Sequence, residues 1–258
     1  MLNDANYFSA ESNQSYMSAS QFKAFRKCEA AALAELRGEF RAEPTTALLV
    51  GSYVDAWFDG ALEDFCARHP EIVKKDGTLK SEYMQADRII QRINRDPLFC
   101  EYMSGEKQRI MTGDIDGVPY KIKMDSYAPG ERIVDLKVVR DFKSVWTPLS
   151  GRITFIEAWG YDIQGAIYQA IEGNRLPFYI AAVTKEREPD IAVIEIPQRH
   201  LDAAMEIVRN ESGHFALVKR GIIPPIRCEH CDYCKATKVL SEVMQADELD
   251  GDVMEGFE

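Results

Sequence analysis

The sequence lacks three features that would restrict its function at once. In 258 residues no apolar run approaches the length needed to span a membrane, and no signal peptide precedes the first predicted helix. Positive charge is not in excess either, because 42 acidic residues against 31 basic ones give a net charge of −11. These absences argue against a membrane-spanning chain, a secreted disulfide framework and the binding of polyanions through overall charge.

Hydrophobic residues make up 46% of the chain, which is enough for a substantial core, and no internal repeat is present. We expect a single domain over residues 1–245. Residues 246–258 carry six acidic side chains and few turn or helix signals, so we expect an acidic, disordered tail there.

The middle of the chain predicts a β-hairpin followed by a third strand. Residues 109–115 and 118–125 are strand-like and flank Asp116-Gly117, a pair that supplies the positive φ angles of a two-residue loop. After a further turn, residues 132–138 form a short run rich in β-branched side chains. We therefore expect the first two of these strands to pair as a hairpin and the third to lie in the same sheet.

Three charged residues on these strands form the pattern D-x9-D-L-K: Asp125, Asp135 and Lys137. Alternation along a strand puts Asp135 and Lys137 on one face, and it puts Asp125 on the same face as Lys121 and Lys123. Such a face is most often simply solvated. Aspartate is depleted in strand interiors, however, and two neighbouring carboxylates favour a hard cation such as Mg²⁺ or Mn²⁺ between them. We therefore expect a metal site.

A predicted helix over residues 159–172 carries a second pair of polar side chains. Ile163, Ile167 and Ile171 recur every four residues, and Gln164 and Tyr168 lie one above the other on a neighbouring stripe. An amide and a phenol stacked in this way could hold a phosphate or a base edge. Alone, the pair would more often be an ordinary half-buried helix surface.

Six cysteines complete the set of informative residues, and the last three follow the spacing Cys228-x2-Cys231-x2-Cys234. Such tight spacing favours a metal site over disulfides, and three thiolates need a fourth ligand. Reduced, unligated thiols are the alternative. Cys66 and Cys100 have no ligand-like spacing and are expected to be core or half-exposed residues.

Taken together and in their order along the chain, these motifs resemble the PD-(D/E)XK nuclease superfamily, in its RecB/RecE-like branch of phage and bacterial exonucleases. The resemblance covers about residues 18–240. Its motifs are the opening helix 18–28, the helix around residues 49–57, the D-x9-D-L-K pattern and the Q-x-x-x-Y element of Gln164 and Tyr168. It implies an α/β fold with a restriction-endonuclease-like core, in which a central mixed β-sheet is flanked by helices.

The resemblance also implies roles for individual residues. Asp125 and Asp135 match the metal ligands, Lys137 matches the catalytic lysine, and Gln164 and Tyr168 match further active-site residues. Asp55 stands where the family pattern generally has a metal-side histidine, and aspartate there could still ligate a hard cation. A helix-surface residue or the mark of a weakened enzyme are the alternatives, but the intact Asp-Asp-Lys core favours an active nuclease.

The cysteines are similar in layout to those of the helicase-nuclease subunit AddB, which binds a [4Fe-4S] cluster with one cysteine before the nuclease core and three after it. This implies a cluster on Cys28, Cys228, Cys231 and Cys234. The spacing before the last cysteine is narrower than in that family. Zinc, with Cys28 or His230 as the fourth ligand, therefore stays open.

The function implied is a Mg²⁺-dependent (or Mn²⁺-dependent) DNA exonuclease acting on duplex ends in phage or bacterial recombination or repair. The alternative is a catalytically weakened DNA-binding or assembly module. Expected partners are double-stranded DNA ends, a single-strand annealing protein and further copies of the chain in a ring, in the cytoplasm of a bacterial or phage-infected cell. Local cations would contact DNA, and the candidates are Lys121, Lys123, Lys137, Arg140 and Lys143.

Overall fold

A five-stranded mixed sheet forms the centre of the computed structural model, which describes residues 2–41, 43, 45–147, 151–241 and 243. Its strand order is β1-β2-β3-β6-β7, and β3 and β6 are the parallel neighbours while the other pairs are antiparallel. A separate hairpin contains β4 and β5. The strands are β1 Glu106–Ile115, β2 Val118–Ala128, β3 Arg132–Val139, β4 Val145–Thr147, β5 Gly151–Ile153, β6 Phe178–Thr184 and β7 Ile191–Glu195.

Helices flank this sheet, so the expected fold class is confirmed. In chain order they are α1 Ala10–Ser15, α2 Ala19–Lys27, α3 Glu29–Arg37, α4 Thr46–Phe58, α5 Leu62–Arg68, α6 Met84–Asn94, α7 Pro97–Tyr102, α8 Phe155–Ala158, α9 Tyr161–Glu172, α10 Gln198–Lys219 and α11 Asp232–Ala236. Two 3-10 helices, Pro70–Ile72 and Ser81–Tyr83, lie between α5 and α6. Within the described residues no helix has the length and apolar character needed to cross a bilayer.

The β1–β2 hairpin forms where the sequence predicts it. Ile115 pairs with Val118, which leaves Asp116 and Gly117 as the two loop residues. Their φ angles are 49° and 83°, and positive values at both positions define the tight turn whose twist matches that of the strands. The turn therefore fixes the register of β2, the strand that carries Asp125.

The sheet is buried on both faces. On one face Ile133 and Phe178 pack with α2, α9 and α10, and on the other Val134 and Leu136 pack with α4, α6 and α7. Strand β3 is therefore an interior strand with apolar neighbours above and below. Lys121, one of the candidate DNA contacts, is only 1% exposed because the chain around α1 covers it.

Capping side chains set where the helices near the site begin. Ser18, which precedes α2, accepts a hydrogen bond from the backbone N–H of Gln21 at 3.2 Å. Cys28 then separates α2 from α3 in an extended conformation, so the opening helix is followed at once by a second one. The expected acidic tail, residues 246–258, lies outside the described residues.

Glycine lets α9 approach the sheet closely. A Cβ added at Gly165 would lie 2.5 Å from Cδ1 of Phe178 and 2.9 Å from Cδ2 of Leu201, so no side chain fits there without movement of the core. Gly165 follows Gln164 directly, and its close packing therefore sets the depth at which the Gln164 side chain meets β3.

We expect Gly165→Ala to destabilise the protein by about 1–3 kcal/mol, because the added methyl group overpacks the interface between α9, β6 and α10. Gly213 in α10 is the matched control, since a Cβ there meets nothing within 4 Å. Gly213→Ala should stabilise the protein by about 0.5–1 kcal/mol through helix propensity. Urea unfolding of both variants measures this, and equal midpoints would contradict the packing argument.

Candidate active site

Asp125 and Asp135 meet where the β2–β3 ladder ends. The last paired residues are Ser126 and Val134, and continued pairing would set Asp125 opposite Asp135. Instead, Oδ2 of Asp125 accepts a hydrogen bond from the backbone N–H of Leu136 at 2.9 Å. A side chain thus replaces the next ladder bond, and it brings the two carboxylates together at the point where the strands separate.

The carboxylate of Asp135 is held from two sides. It is 2% exposed, and its Oδ1 accepts a hydrogen bond from Nε2 of Gln164 at 2.6 Å. Its Oδ2 forms an ion pair with Nζ of Lys137 and accepts from no other group of the described residues, although a carboxylate oxygen can accept two hydrogen bonds. One buried carboxylate oxygen therefore keeps unused acceptor capacity.

Lys137 supplies the positive charge beside these carboxylates. Burial acts to lower its pKa, but the carboxylates of Asp135 and Asp125 outweigh burial and raise the pKa above its usual value. The ammonium also lies 5.4 Å from the centre of the Tyr161 ring. The lysine is therefore a fixed cation.

Asp55 in α4 belongs to the same electrostatic group. Asp55 is an exposed residue, yet desolvation by the surrounding protein and repulsion from Asp135 and Asp59 outweigh the attraction of Lys137 and raise its pKa to about 7. Burial, Asp135 and Asp55 likewise raise the pKa of Asp125 well above its ordinary value. Three carboxylates thus share one region.

These residues fit a hard divalent cation. Two carboxylates with raised pKa values, and an oxygen of Asp135 with acceptor capacity left beside Lys137, are groups that a cation would stabilise. The aspartates are less tightly grouped than the cysteines, because among the described residues only the four-cysteine group brings three or more candidate ligand atoms within 4.8 Å. An ion on the aspartates would therefore keep several waters, as Mg²⁺ does.

Gln164 and Tyr168 lie at this site but point their polar groups inward. Both are buried; Gln164 donates to Asp135, and the Tyr168 hydroxyl donates to the backbone carbonyl of Lys123 at 2.9 Å. Burial raises the pKa of Tyr168 well above its ordinary value. In the structure both residues therefore position β2 and β3.

Sequence reasoning missed the contribution of the N-terminal segment. Tyr7 is buried, and burial together with the charge of Asp125 raises its pKa. Asp4 pairs with Lys123 at 3.0 Å. Lys121 donates to the carbonyl of Tyr7 at 2.5 Å and to Oδ1 of Asn13 at 2.7 Å, so it is unavailable to DNA. No motif marks residues 4–13, because their position depends on the folded sheet.

Lys23 and Tyr161 were also missed as site residues. Lys23 lies in α2, and its Nζ is 5.4 Å from the Tyr161 ring centre, the same distance as Nζ of Lys137. The family-like opening helix and the segment before Gln164 could have drawn attention to them. Arg140 and Lys143, two other candidate DNA contacts, follow β3; Arg140 pairs with the neighbouring Asp141.

The four cysteines form a second group of candidate metal ligands, separate from the aspartates. One sulfur each from Cys28, Cys228, Cys231 and Cys234 lies within 4.8 Å of the others, and Cys28 and Cys234 are 3.5 Å apart. Burial opposes the thiolate of Cys228, but hydrogen bonds from the backbone N–H groups of His230 and Cys231 lower its pKa to about 6. Cys28, from before the sheet, thus completes a metal-binding set with the C-terminal segment.

Glu29 helps to hold the four cysteines together. Oε2 of Glu29 accepts from the N–H of Ile226 at 2.8 Å, and the N–H of Ala30 donates to the carbonyl of Ile226 at 3.1 Å. These bonds fasten the C-terminal segment to the start of α3, two residues before Cys228. Cys66 and Cys100 are half-buried and lie outside the set.

Comparison with known proteins agrees with this geometry. The family model of the PDDEXK-like domain of unknown function (DUF3799) matches residues 18–237. The crystal structure of a candidate exonuclease from Eubacterium rectale is 44% identical, covers 98% of this chain and 99% of its own, and superposes with a TM-score of 0.93.

A second solved structure, that of SSO0001, is 15% identical over 79% of this chain and 95% of its own, but its TM-score of 0.28 supports no conclusion. Among curated proteins no match was found. The family match spans most of the chain, and its name agrees with the mixed sheet and the Asp-Asp-Lys group described above. The chain belongs to the PDDEXK-like family DUF3799 and has a nuclease fold.

Proposed function

We propose that this protein is a Mg²⁺-dependent or Mn²⁺-dependent deoxyribonuclease that degrades duplex DNA from its ends. The observation that carries the proposal is the convergence of Asp125, Asp135 and Lys137, with one buried oxygen of Asp135 that contacts only Lys137 among the described residues. The name of the Eubacterium rectale protein supports the exonuclease assignment.

The residues divide the work of phosphodiester hydrolysis. Asp125 and Asp135 would hold a divalent cation, which would supply a water of lowered pKa and offset the negative charge that develops on the phosphate. Gln164 fixes the orientation of the Asp135 carboxylate through its amide. Lys137, kept charged by Asp135, orients the attacking water and stabilises charge on the phosphate oxygens.

Asp55 supports an active site more than a decayed one. Its electrostatic coupling to Asp135 and Lys137 places it in the group, where it would ligate the cation or hydrogen-bond its water. A helix-surface aspartate unrelated to catalysis would not need to carry this unfavourable charge beside two others.

The biological setting is a further part of the proposal. A net charge of −11 is compatible with DNA binding, because affinity depends on phosphates neutralised locally and Lys137 lies at the site itself. From the family resemblance we infer a role in phage or bacterial recombination or repair, in the cytoplasm. We also infer a homo-oligomeric ring and a single-strand annealing protein as partner.

We infer that the four cysteines hold a structural metal centre. Zn–S bonds of about 2.3 Å put the corners of a tetrahedron about 3.8 Å apart. The separations of Cys28 and Cys228 from Cys234, 3.5 and 4.0 Å, are near this value. In a [4Fe-4S] cluster, which the family resemblance favours, each cysteine sulfur binds a different iron. The four sulfurs would therefore have to lie farther apart than they do here.

The nuclease proposal is tested by digestion of linear and covalently closed circular duplex DNA with Mg²⁺. We expect loss of the linear DNA and survival of the circle. Lys137→Ala should lower the rate by about 100- to 1,000-fold while DNA binding changes little, because it removes stabilisation of the transition state. Asp125→Ala should weaken metal binding and abolish cleavage.

Lys75→Ala, which removes an exposed lysine of a turn, is the matched control and should leave the rate unchanged. Nicking of the circle would show an endonuclease instead. Wild-type cleavage by Lys137→Ala would remove the basis of the proposal, and intact linear DNA would favour a binding module.

Metal binding should depend on pH, because Asp55 and Asp125 have raised pKa values and a metal requires their ionised forms. Without metal, these groups bind more protons in the folded than in the unfolded protein, so their contribution to stability falls as the pH rises from about 4 to 7. Added Mg²⁺ should therefore raise the melting temperature more at about pH 8 than at about pH 6.

Asp55→Asn should flatten this difference, whereas Asp64→Asn, at an exposed carboxylate in α5, should retain it. Equal Mg²⁺ shifts at both pH values for the wild-type protein would show that Asp55 and Asp125 do not take part in metal binding.

Anaerobic purification with metal analysis and a visible spectrum tests the cysteine centre. The sulfur spacing predicts one zinc per chain and no visible absorption, and Cys234→Ser should remove the metal and lower the melting temperature. Iron and inorganic sulfide with a broad visible band would instead show the cluster. Cys66→Ser is the control, and metal-free protein of full stability would end the inference.

A further inference from the structure

Lys23 is a second lysine at the candidate active site, and the function proposed above assigns it no role. Its ammonium lies 5.4 Å from the centre of the Tyr161 ring, whose other cationic neighbour is Lys137. The charges of Lys137 and Asp135 both act on it. Lys23 thus extends from α2 into the electrostatic field of the Asp-Asp-Lys group.

The ammonium lacks a counter-ion of its own. It donates to the backbone carbonyl of Trp159 at 3.2 Å, and among the described residues no carboxylate forms an ion pair with it. Burial and repulsion by Lys137 lower its pKa to about 8, against smaller opposing effects of the charges of Asp135 and Asp162. Repulsion between the two ammonium groups raises the free energy of the folded protein, and an anion near both would offset that cost.

The backbone makes room for this lysine. Gly160 has a φ of 60°, and a Cβ added to it would lie 2.9 Å from Cδ of Lys23 and 3.6 Å from Cγ. Only glycine readily accepts both this conformation and this contact. The Lys23 stem is therefore packed against Gly160 and the Tyr161 ring, and its ammonium is directed by that packing.

We propose that Lys23 binds a phosphate oxygen of the DNA strand that lies at Asp125, Asp135 and Lys137. The inference rests on the proposed nuclease function and deepens it by naming a second cation that contacts the cleaved strand. The competing account is structural: the lysine only packs on Tyr161 and satisfies the Trp159 carbonyl. On that account its positive charge has no part in DNA binding.

Two neutral variants separate these accounts. Lys23→Gln keeps a donor for the Trp159 carbonyl, and Lys23→Met does not. Loss of a charged contact should lower kcat/KM on linear duplex DNA by about 10- to 100-fold in both variants. Lys23→Arg should recover part of the loss because it keeps the charge. Lys27→Met removes an equal charge from an exposed position of the same helix and should behave as wild type.

DNA binding gives a readout that does not depend on cleavage. With EDTA present, the slope of log affinity against log salt should fall by about 0.9 in Lys23→Gln, the effect of one lost phosphate contact with duplex DNA, and stay constant in Lys27→Met. Melting temperatures check that each variant is folded. If Lys23→Met is unstable, Lys23→Gln carries the comparison.

Wild-type kcat/KM and salt slope in folded Lys23→Gln would overturn the inference while leaving the nuclease proposal intact. If the wild-type protein cleaves no DNA, the nuclease proposal fails, and the salt slope still decides whether Lys23 contacts phosphate. An unchanged slope in that case would overturn the Lys23 inference as well.

Discussion

Two carboxylates are held together at the open end of an antiparallel ladder, and the arrangement of the site follows from that constraint. Asp125 takes the backbone N–H of Leu136 as its partner, and this contact stops the pairing of β2 with β3 at Ser126. The charge that accumulates there must be balanced, because neighbouring buried carboxylates repel each other. Lys137 provides part of that balance from the same strand.

The surrounding packing keeps this unfavourable group in place. Gly165 lets α9 approach β6 and α10, and that approach carries Gln164 to the Asp135 carboxylate. Tyr168, one turn later, holds the backbone of β2 at Lys123. Core packing thus provides the free energy that holds the polar groups in place. Looser packing of α9 would therefore displace the carboxylates from their positions.

Much of this could be predicted from the sequence, since it depends on local rules. Strand alternation and the Asp116-Gly117 turn are set by neighbouring residues, and both predict the hairpin and the placement of Asp135 beside Lys137. The burial of Lys121 beneath the N-terminal segment could not be predicted, because it depends on residues more than a hundred positions away. The inward use of Gln164 has the same cause: a helix pattern shows which residues share a face and says nothing of their partners.

The charges at the site show how an aspartate can function at position 55. With their carboxyls ionised, Asp55, Asp125 and Asp135 outnumber the ammonium groups of Lys23 and Lys137 by one negative charge. A divalent cation would turn that excess into one positive charge, which a single phosphodiester would balance. With an uncharged side chain at position 55 the same count would be more positive by one, so the charges of Asp55 and Lys23 offset each other. The two residues are then best understood together, because their opposite charges leave the loaded site attractive to one phosphate.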